Sequence, residues 1–101
     1  MKNIAIFASG GGSNFKVIYE KIISGDIPAK ICLVISNNSS CHAIDFAKNI
    51  LLPIFIFNKA RYPNPHIGDN ILMQKLLQSN IDLICLAGYM KMIPKNIVAH
   101  F

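Results

Sequence analysis

Four short, continuous apolar runs, separated by stretches with helical spacing, constrain the fold of this chain more than any other feature. The runs occupy residues 4–8, 31–35, 54–57 and 83–87. Continuous apolar runs are typical of strands in a parallel sheet covered on both faces. Because strands alternate with helices, the order predicts an α/β fold with right-handed crossovers. At 101 residues, the chain is expected to form one domain, residues 1–101.

Three helices are predicted between these strands, each with one apolar stripe at i, i+3, i+4 spacing. The predicted buried residues are Phe15, Ile18, Tyr19, Ile22 and Ile23 in the first helix, Ala43, Ile44 and Ala47 in the second, and Leu72, Met73, Leu76 and Leu77 in the third. The first helix is expected to end at Gly25, and the second to span residues 40–49. The third is expected to begin at Asn64-Pro65, a cap followed by proline, and to end at Asn80.

The predicted sheet is Rossmann-like, with four parallel strands in the order 3-2-1-4 and helices on both faces. Ligands of such sheets bind beyond the carboxyl ends of the strands, where the strand order reverses. Here that point lies between the first and fourth strands. The segments that follow these two strands are therefore the candidate site.

The segment after the first strand is rich in glycine and reads Ser9-Gly10-Gly11-Gly12-Ser13-Asn14. Glycines permit positive φ angles and a close approach of a ligand to the backbone. Ser13 or Asn14 could cap the following helix. Because the first turn of a helix has unpaired N–H groups and the positive end of the helix dipole, the segment predicts a phosphate site. The alternative is a tight turn without a ligand.

Two other glycine motifs do not match this segment. It lacks the G-K-[ST] ending of nucleoside-triphosphate P-loops. The spacing Gly10-x-Gly12-x-x-Phe15 lacks the third glycine of the dinucleotide fingerprint, and the second strand ends in Ser36-Asn37 without an acidic residue for a ribose.

Composition argues against several other classes of protein. The net charge is +5, but the basic residues are scattered lysines except for Arg61, so no nucleic-acid partner is predicted. The three cysteines form no C-x-x-C pair, and neither a disulfide framework nor a metal site is expected. The longest apolar run, residues 50–57, is interrupted by Pro53 and is too short to span a membrane. A soluble, cytoplasmic protein is expected.

Three strings in register resemble the family of glycinamide ribonucleotide formyltransferases. They are the Ser-Gly-x-Gly-Ser-Asn segment, the end of the second strand at residues 34–37, and residues 86–93, which resemble an A-G-[FY]-M-[RK] segment. Enzymes of this family transfer a formyl group from the co-substrate 10-formyltetrahydrofolate to the amine of glycinamide ribonucleotide, in purine synthesis. The resemblance covers the N-terminal, phosphate-binding half of the family's domain.

The resemblance implies two groups of site residues. Gly12, Ser13 and Asn14 would hold the substrate phosphate. The folate would be lined by Met90, Lys91, Met92 and Ile93, with Leu86 and Val98 as additions to the wall. Without the resemblance, Met90 and Met92 would be interpreted as ordinary core residues.

The chain also departs from the family pattern. Pro65 stands where the family often has an arginine near the folate tail, and Arg61 is a nearby alternative. The family's catalytic asparagine and histidine, in N-x-H-P-S-L-L-P, and its later aspartate are expected beyond residues 1–101. His42, His66 and His100 are not expected to replace them, so we predict no catalytic residue in this chain and no activity from it alone.

Two alternative functions stay open at this stage. One is a relative of formyltetrahydrofolate deformylase, and the other is a non-catalytic phosphate-binding module. The fourth strand is expected to be an exposed sheet edge, which would pair with a complementary C-terminal half or with a second copy.

Overall fold

In the computed structural model, which describes residues 1–101, strands and helices alternate along the chain. The strands are β1 (Lys2–Phe7), β2 (Ala29–Ser36), β3 (Ile54–Ile56) and β4 (Leu83–Leu86). The helices are α1 (Ser13–Ile23), α2 (His42–Asn49), α3 (Pro65–Gln78) and α4 (Lys95–His100). The fourth helix was not predicted from the sequence.

The four strands form one parallel sheet in the order β3-β2-β1-β4, which confirms the predicted order. β4 pairs only with β1, from Ile4 opposite Leu83 to Phe7 opposite Leu86. Asp82 fixes the start of this pair, because its carboxylate accepts a hydrogen bond from the backbone N–H of Asn3 at 2.8 Å.

Both faces of β1 are buried, which explains why its sequence is continuously apolar. Ile4, Ile6 and Ala8 belong to one hydrophobic cluster, and Ala5 and Phe7 belong to another on the opposite face. The first cluster includes buried residues of α1 and α2, whereas the second includes buried residues of α3 and α4. The sheet is therefore covered by helices on both faces, as predicted, with two helices on each face.

Two predicted core residues are exposed, and those predictions were wrong. Ile23 is the last residue of α1, and Leu77 lies in the final turn of α3. Leu72 and Leu76, one turn apart, already fill the buried stripe of α3, so that Leu77 lies about 100° around the helix from Leu76. The buried positions predicted for α2 are confirmed, since Ala43, Ile44 and Ala47 are all inaccessible to solvent.

The start of α1 also differs from the expectation that a side chain caps it. Gly12 is the N-cap residue, with φ 77° and ψ 10°, and no side-chain oxygen accepts a hydrogen bond there. Ser13 and Asn14 are the first two helical residues instead. By contrast, Asn64 caps α3 as predicted, because its Oδ1 accepts from the N–H groups of His66 and Ile67.

Candidate functional site

The glycine segment between β1 and α1 is held against the beginning of α2. The backbone N–H of Ala43 donates to the carbonyl of Gly10 at 3.1 Å. Gly12 has a positive φ, and a Cβ added there would lie 3.0 Å from Cα of Ala43. No such neighbour limits Gly10 or Gly11. Gly12 is therefore required by the close packing of two helix starts, while its two predecessors face open space.

Four backbone amides of this segment have no hydrogen-bond partner within the protein. The N–H groups of Gly11, Gly12, Ser13 and Asn14 donate to no protein acceptor, and the first hydrogen bond of the turn runs from Lys16 N to Gly12 O at 2.9 Å. Ser13 and Asn14 are exposed. Unpaired amides at the positive end of an 11-residue helix suit an anion such as phosphate.

The segment after β4 turns at Gly88, whose φ is 78°, and is hydrogen-bonded to Ser9 at the start of the glycine segment. Met90 and Met92 are 84% and 94% exposed, so neither is the core residue that a bare reading of the sequence would favour. Lys91 is exposed as well, whereas Ile93 packs against the cluster of the α3 and α4 face. Leu86 and Val98 are exposed.

A cavity of about 880 Å³ lies between this segment and the loop after β3. Its lining includes Asn37, Asn58, Lys59, Lys91 and Met92, together with aromatic and proline side chains. Of the four residues assigned to the folate by resemblance, the cavity is lined by Lys91 and Met92 but not by Met90 or Ile93. The cavity combines apolar walls with a few polar groups, as small-molecule sites usually do.

The two positions considered for the family's arginine, Pro65 and Arg61, lie in different cavities. Pro65 lines it, at the position where the family pattern often has arginine. Arg61 does not, and instead lines a smaller cavity of about 270 Å³ with Ile54 at the outer edge of the sheet. Lys59 and Lys91 are the cationic side chains of the larger cavity, and Asp69 is its carboxylate.

A chain of hydrogen bonds that we did not predict joins the carboxyl ends of the strands. The N–H of Met90 donates to Oγ of Ser9 at 2.8 Å, and Ser9 Oγ is 2.6 Å from Oδ1 of Asn37. The carbonyl of Asn37 accepts from Nδ2 of Asn58 at 2.9 Å. The only sequence signal was a polar residue within two positions after each of three apolar runs, and its meaning depends on the strand order.

The three histidines lie on the surface, outside the lining of the large cavity. His42, His66 and His100 are exposed, and their rings make no hydrogen bond. Asn64-Pro65-His66 is a literal Asn-x-His triplet, but its asparagine oxygen is occupied by capping α3 and no Pro-Ser follows it. The large cavity is lined by no histidine.

Two ionisable groups near the fourth strand are altered by burial. Desolvation raises the pKa of the Tyr89 phenol, whose ring packs edge-on against Phe7 with centroids 5.2 Å apart. Desolvation likewise raises the pKa of the Cys85 thiol. Because the thiolate is the reactive form of cysteine, Cys85 is expected to be inert. Tyr89 lines the cavity as a neutral group.

No group of three His, Cys, Asp or Glu side chains is placed to hold a metal ion. No helix has the length and apolar character that crossing a membrane would require.

Comparison with known proteins identifies relatives across the whole chain. The family model described as "Formyl transferase" matches residues 2–101. Phosphoribosylglycinamide formyltransferase from Haemophilus influenzae is 38% identical over 101 residues, which are 100% of this chain and 48% of that protein. The chloroplastic phosphoribosylglycinamide formyltransferase of Arabidopsis thaliana is 35% identical, over 99% of this chain and 35% of that protein.

The solved structures show the same likeness. Glycinamide ribonucleotide transformylase 1 from Geobacillus kaustophilus is 33% identical and superposes with a TM-score of 0.93, covering 100% of this chain and 54% of that one. The chain therefore spans about half the length of these bacterial relatives and about a third of the plant protein.

Proposed function

The chain belongs to the formyl transferase family, and we therefore propose that it is the phosphate-binding part of a phosphoribosylglycinamide formyltransferase. The reaction would transfer a formyl group from 10-formyltetrahydrofolate to the amine of glycinamide ribonucleotide. The amine nitrogen attacks the formyl carbon, the bond from that carbon to the folate nitrogen breaks, and the amine proton passes to the folate nitrogen.

The observation that carries this proposal is the glycine segment at the switch point of the sheet. Gly12, Ser13 and Asn14 have unpaired amides at the start of α1, and these would bind the substrate phosphate. The helix dipole adds about 0.3–1 kcal/mol at an exposed site, so most of the affinity must come from hydrogen bonds. The net charge of +5 would also attract anionic substrates.

The folate would occupy the large cavity beside the segment after β4. Lys91 and Met92 line that cavity, and the backbone of Met90 is fixed next to it by Ser9. A pterin has apolar faces and a polar edge, which suits a cavity with aromatic walls and amide groups. Within the four assigned residues, Ile93 would act by supporting the segment from the core.

Titration of the full chain with inorganic phosphate, glycinamide ribonucleotide and folic acid, followed by amide NMR, tests both parts. We expect the two phosphate-bearing probes to shift the amides of Gly12, Ser13 and Asn14, and folic acid to shift Lys91 and Met92. The amide of Gly25, another positive-φ glycine at the opposite end of α1, serves as the internal control. If none of the three loop amides responds, the assignment of the phosphate site is wrong.

We propose that these residues bind substrates and that the groups which handle protons lie elsewhere. The large cavity is lined by no histidine, which is the side chain that most often serves as a general acid or base, and by a single carboxylate. In the resembling family those groups are an asparagine, a histidine and an aspartate of the C-terminal half.

The exposed edge of β4 is the proposed place of a further partner. Leu83 and Leu86 are exposed there, and the strand contains no lysine or proline that would disfavour pairing. We propose that a complementary segment of the fold, or a second copy, adds a strand to this edge. Sedimentation of the chain at increasing concentration tests it: a monomer whose β4 amides exchange as slowly as those of β1 would contradict the proposal.

A further inference from the structure

The side chain of Ser9 joins the two candidate half-sites. Its residue is the first of the glycine segment, and its Oγ accepts the N–H of Met90 at 2.8 Å. The backbone N–H of Ser9 also donates to the carbonyl of Gly88 at 3.2 Å. These two contacts hold the segment after β4 at both ends of its sharp turn.

The direction of the next hydrogen bond follows from the first. Since Ser9 Oγ accepts from Met90, its own proton is free to be donated, and Oδ1 of Asn37 lies 2.6 Å away. That distance is typical of O–H···O bonds and short for N–H···O bonds. Asn37 therefore presents its oxygen to Ser9.

The orientation of Asn37 leaves a donor without a partner. Its Nδ2 makes no hydrogen bond within the protein, although its backbone carbonyl accepts from Asn58. Asn37 lines the large cavity. Because Ser9 fixes the amide oxygen of Asn37, the NH2 group of the same amide has a fixed orientation and can donate to an acceptor atom of a ligand in the cavity.

We propose that Ser9 is a positioning residue that couples the phosphate segment to the large cavity, and that Asn37 is a ligand-contacting donor oriented by it. The proposal rests on the proposed function in one respect, namely that a phosphate occupies the glycine segment and a folate the cavity. Phosphate binding would restrain Ser9, and Ser9 would restrain both Met90 and Asn37. The two ligands would then bind with positive coupling, which must be reciprocal.

The first test uses no ligand and measures amide hydrogen exchange in the full chain. In Ser9→Ala the N–H of Met90 loses its acceptor, so we expect its exchange to accelerate by about 2- to 10-fold, as for the loss of one ordinary hydrogen bond. Ser9→Thr keeps the hydroxyl and is expected to restore slow exchange. Ser24→Ala is the matched control, because the Ser24 hydroxyl only donates to Lys21 O at the exposed end of α1. An unchanged exchange rate of the Met90 amide in Ser9→Ala would overturn the proposal, regardless of whether phosphate or folic acid binds to the chain.

The second test separates Ser9 from Asn37 by titration with folic acid, in the absence and presence of inorganic phosphate. Asn37→Asp keeps an acceptor for Ser9 but removes the N–H donors, so Met90 exchange should stay slow while folic acid affinity falls by at least about 2- to 10-fold. Asn38→Asp is the control for the added charge, since Asn38 is exposed and does not line the cavity. Equal losses in the two Asp variants would refute the role of Asn37.

Coupling is the readout that a purely structural role of Ser9 would leave unchanged. Phosphate should raise the affinity for folic acid in the parent and in Ser9→Thr, but not in Ser9→Ala. If phosphate and folic acid bind and the coupling survives in Ser9→Ala, the inference fails while the proposed function stands. If neither probe binds the parent, the proposed function fails, and the exchange of Met90 still decides whether Ser9 holds the segment.

Discussion

Replacing Gly12 by alanine should destabilise the fold because of contacts with α2 rather than through backbone strain alone. Gly12 has φ 77°, a conformation that costs an L-residue about 1–2 kcal/mol. Part of this is offset, since alanine lowers the entropy of the unfolded chain by about 0.4–1 kcal/mol. In addition, the new Cβ would lie 3.0 Å from Cα, 3.2 Å from N and 3.3 Å from Cβ of Ala43. Relief of such overpacking typically costs about 1–3 kcal/mol.

Gly25 offers a matched control that separates the two effects. Its φ is 87°, so alanine there meets the same kind of strain, but a Cβ at Gly25 has no heavy atom within 4 Å. We therefore expect Gly25→Ala to cost about 1 kcal/mol and Gly12→Ala to cost about 1–3 kcal/mol more. For a domain of this size, each kcal/mol corresponds to a midpoint of thermal unfolding lower by about 4–8 °C.

Urea unfolding of both variants measures this difference. The midpoint should fall further for Gly12→Ala, with an unchanged m-value if the unfolded state is unaffected. Free energies of unfolding for the two variants that agree within about 0.5 kcal/mol would refute the role assigned to Ala43. Because a side chain at Gly12 is directed at α2, any loss of phosphate binding in Gly12→Ala would follow from displacement of the loop.

Three further outcomes are expected. Residues 1–101 alone should give no formyl transfer from 10-formyltetrahydrofolate to glycinamide ribonucleotide in a product assay. Turnover that persists in His66→Ala and His100→Ala variants would contradict the proposal that the proton-transferring groups lie outside these residues. Asn64→Ala should lower the free energy of unfolding by about 1 kcal/mol through loss of the α3 cap, whereas Asn70→Ala, on the exposed face of the same helix, should not. Burial raises the pKa of Tyr89 above 10.0, so the contribution of the neutral phenol to stability is complete below pH 10 and is lost as the pH rises toward the folded-state pKa. Tyr89→Phe should therefore flatten the decline of the urea midpoint at alkaline pH. An identical decline in both proteins would argue against this.

The sheet could be predicted from the sequence because burial on both faces leaves a direct mark on composition. β1 contributes Ile6 to one cluster and Phe7 to the other, so that every position of its second half must be apolar. The order of the strands followed from the expectation that the first strand of such a sheet lies inside. β4 follows this pattern least, because its residues at both ends are exposed although its sequence is continuously apolar.

Short and terminal elements were harder to predict, since their sequence signal is small. α4 has six residues and buries only Ile97, which is too little for a periodic stripe. The apolar stripe predicted for α1 was extended one position too far, to Ile23, which is exposed. Periodicity gives the direction of a side chain, but it does not show where the sheet that would cover this side chain ends. The missing side-chain cap of α1 has a similar origin, as the preference for Ser or Asn at N-caps cannot anticipate that Gly12 must approach Ala43.

The polar groups at the carboxyl edge of the sheet divide into two sets with opposite behaviour. Ser9, Asn37 and Asn58 are joined by hydrogen bonds to one another and to the backbone around them, although Nδ2 of Asn37 stays unpaired, so the ends of β1, β2 and β3 are held together without a ligand. The amides of residues 11–14 have no protein partner, although they lie next to this network. The first set ties the strand ends together, and the second set leaves N–H groups at the start of α1 without a protein acceptor. Because rigid, unpaired donors lose little freedom when they bind, such an edge can bind an anion without first breaking a protein hydrogen bond. The sequence shows which residues are present at this edge, but only the register of the strands determines which of them are paired and which are left for a ligand.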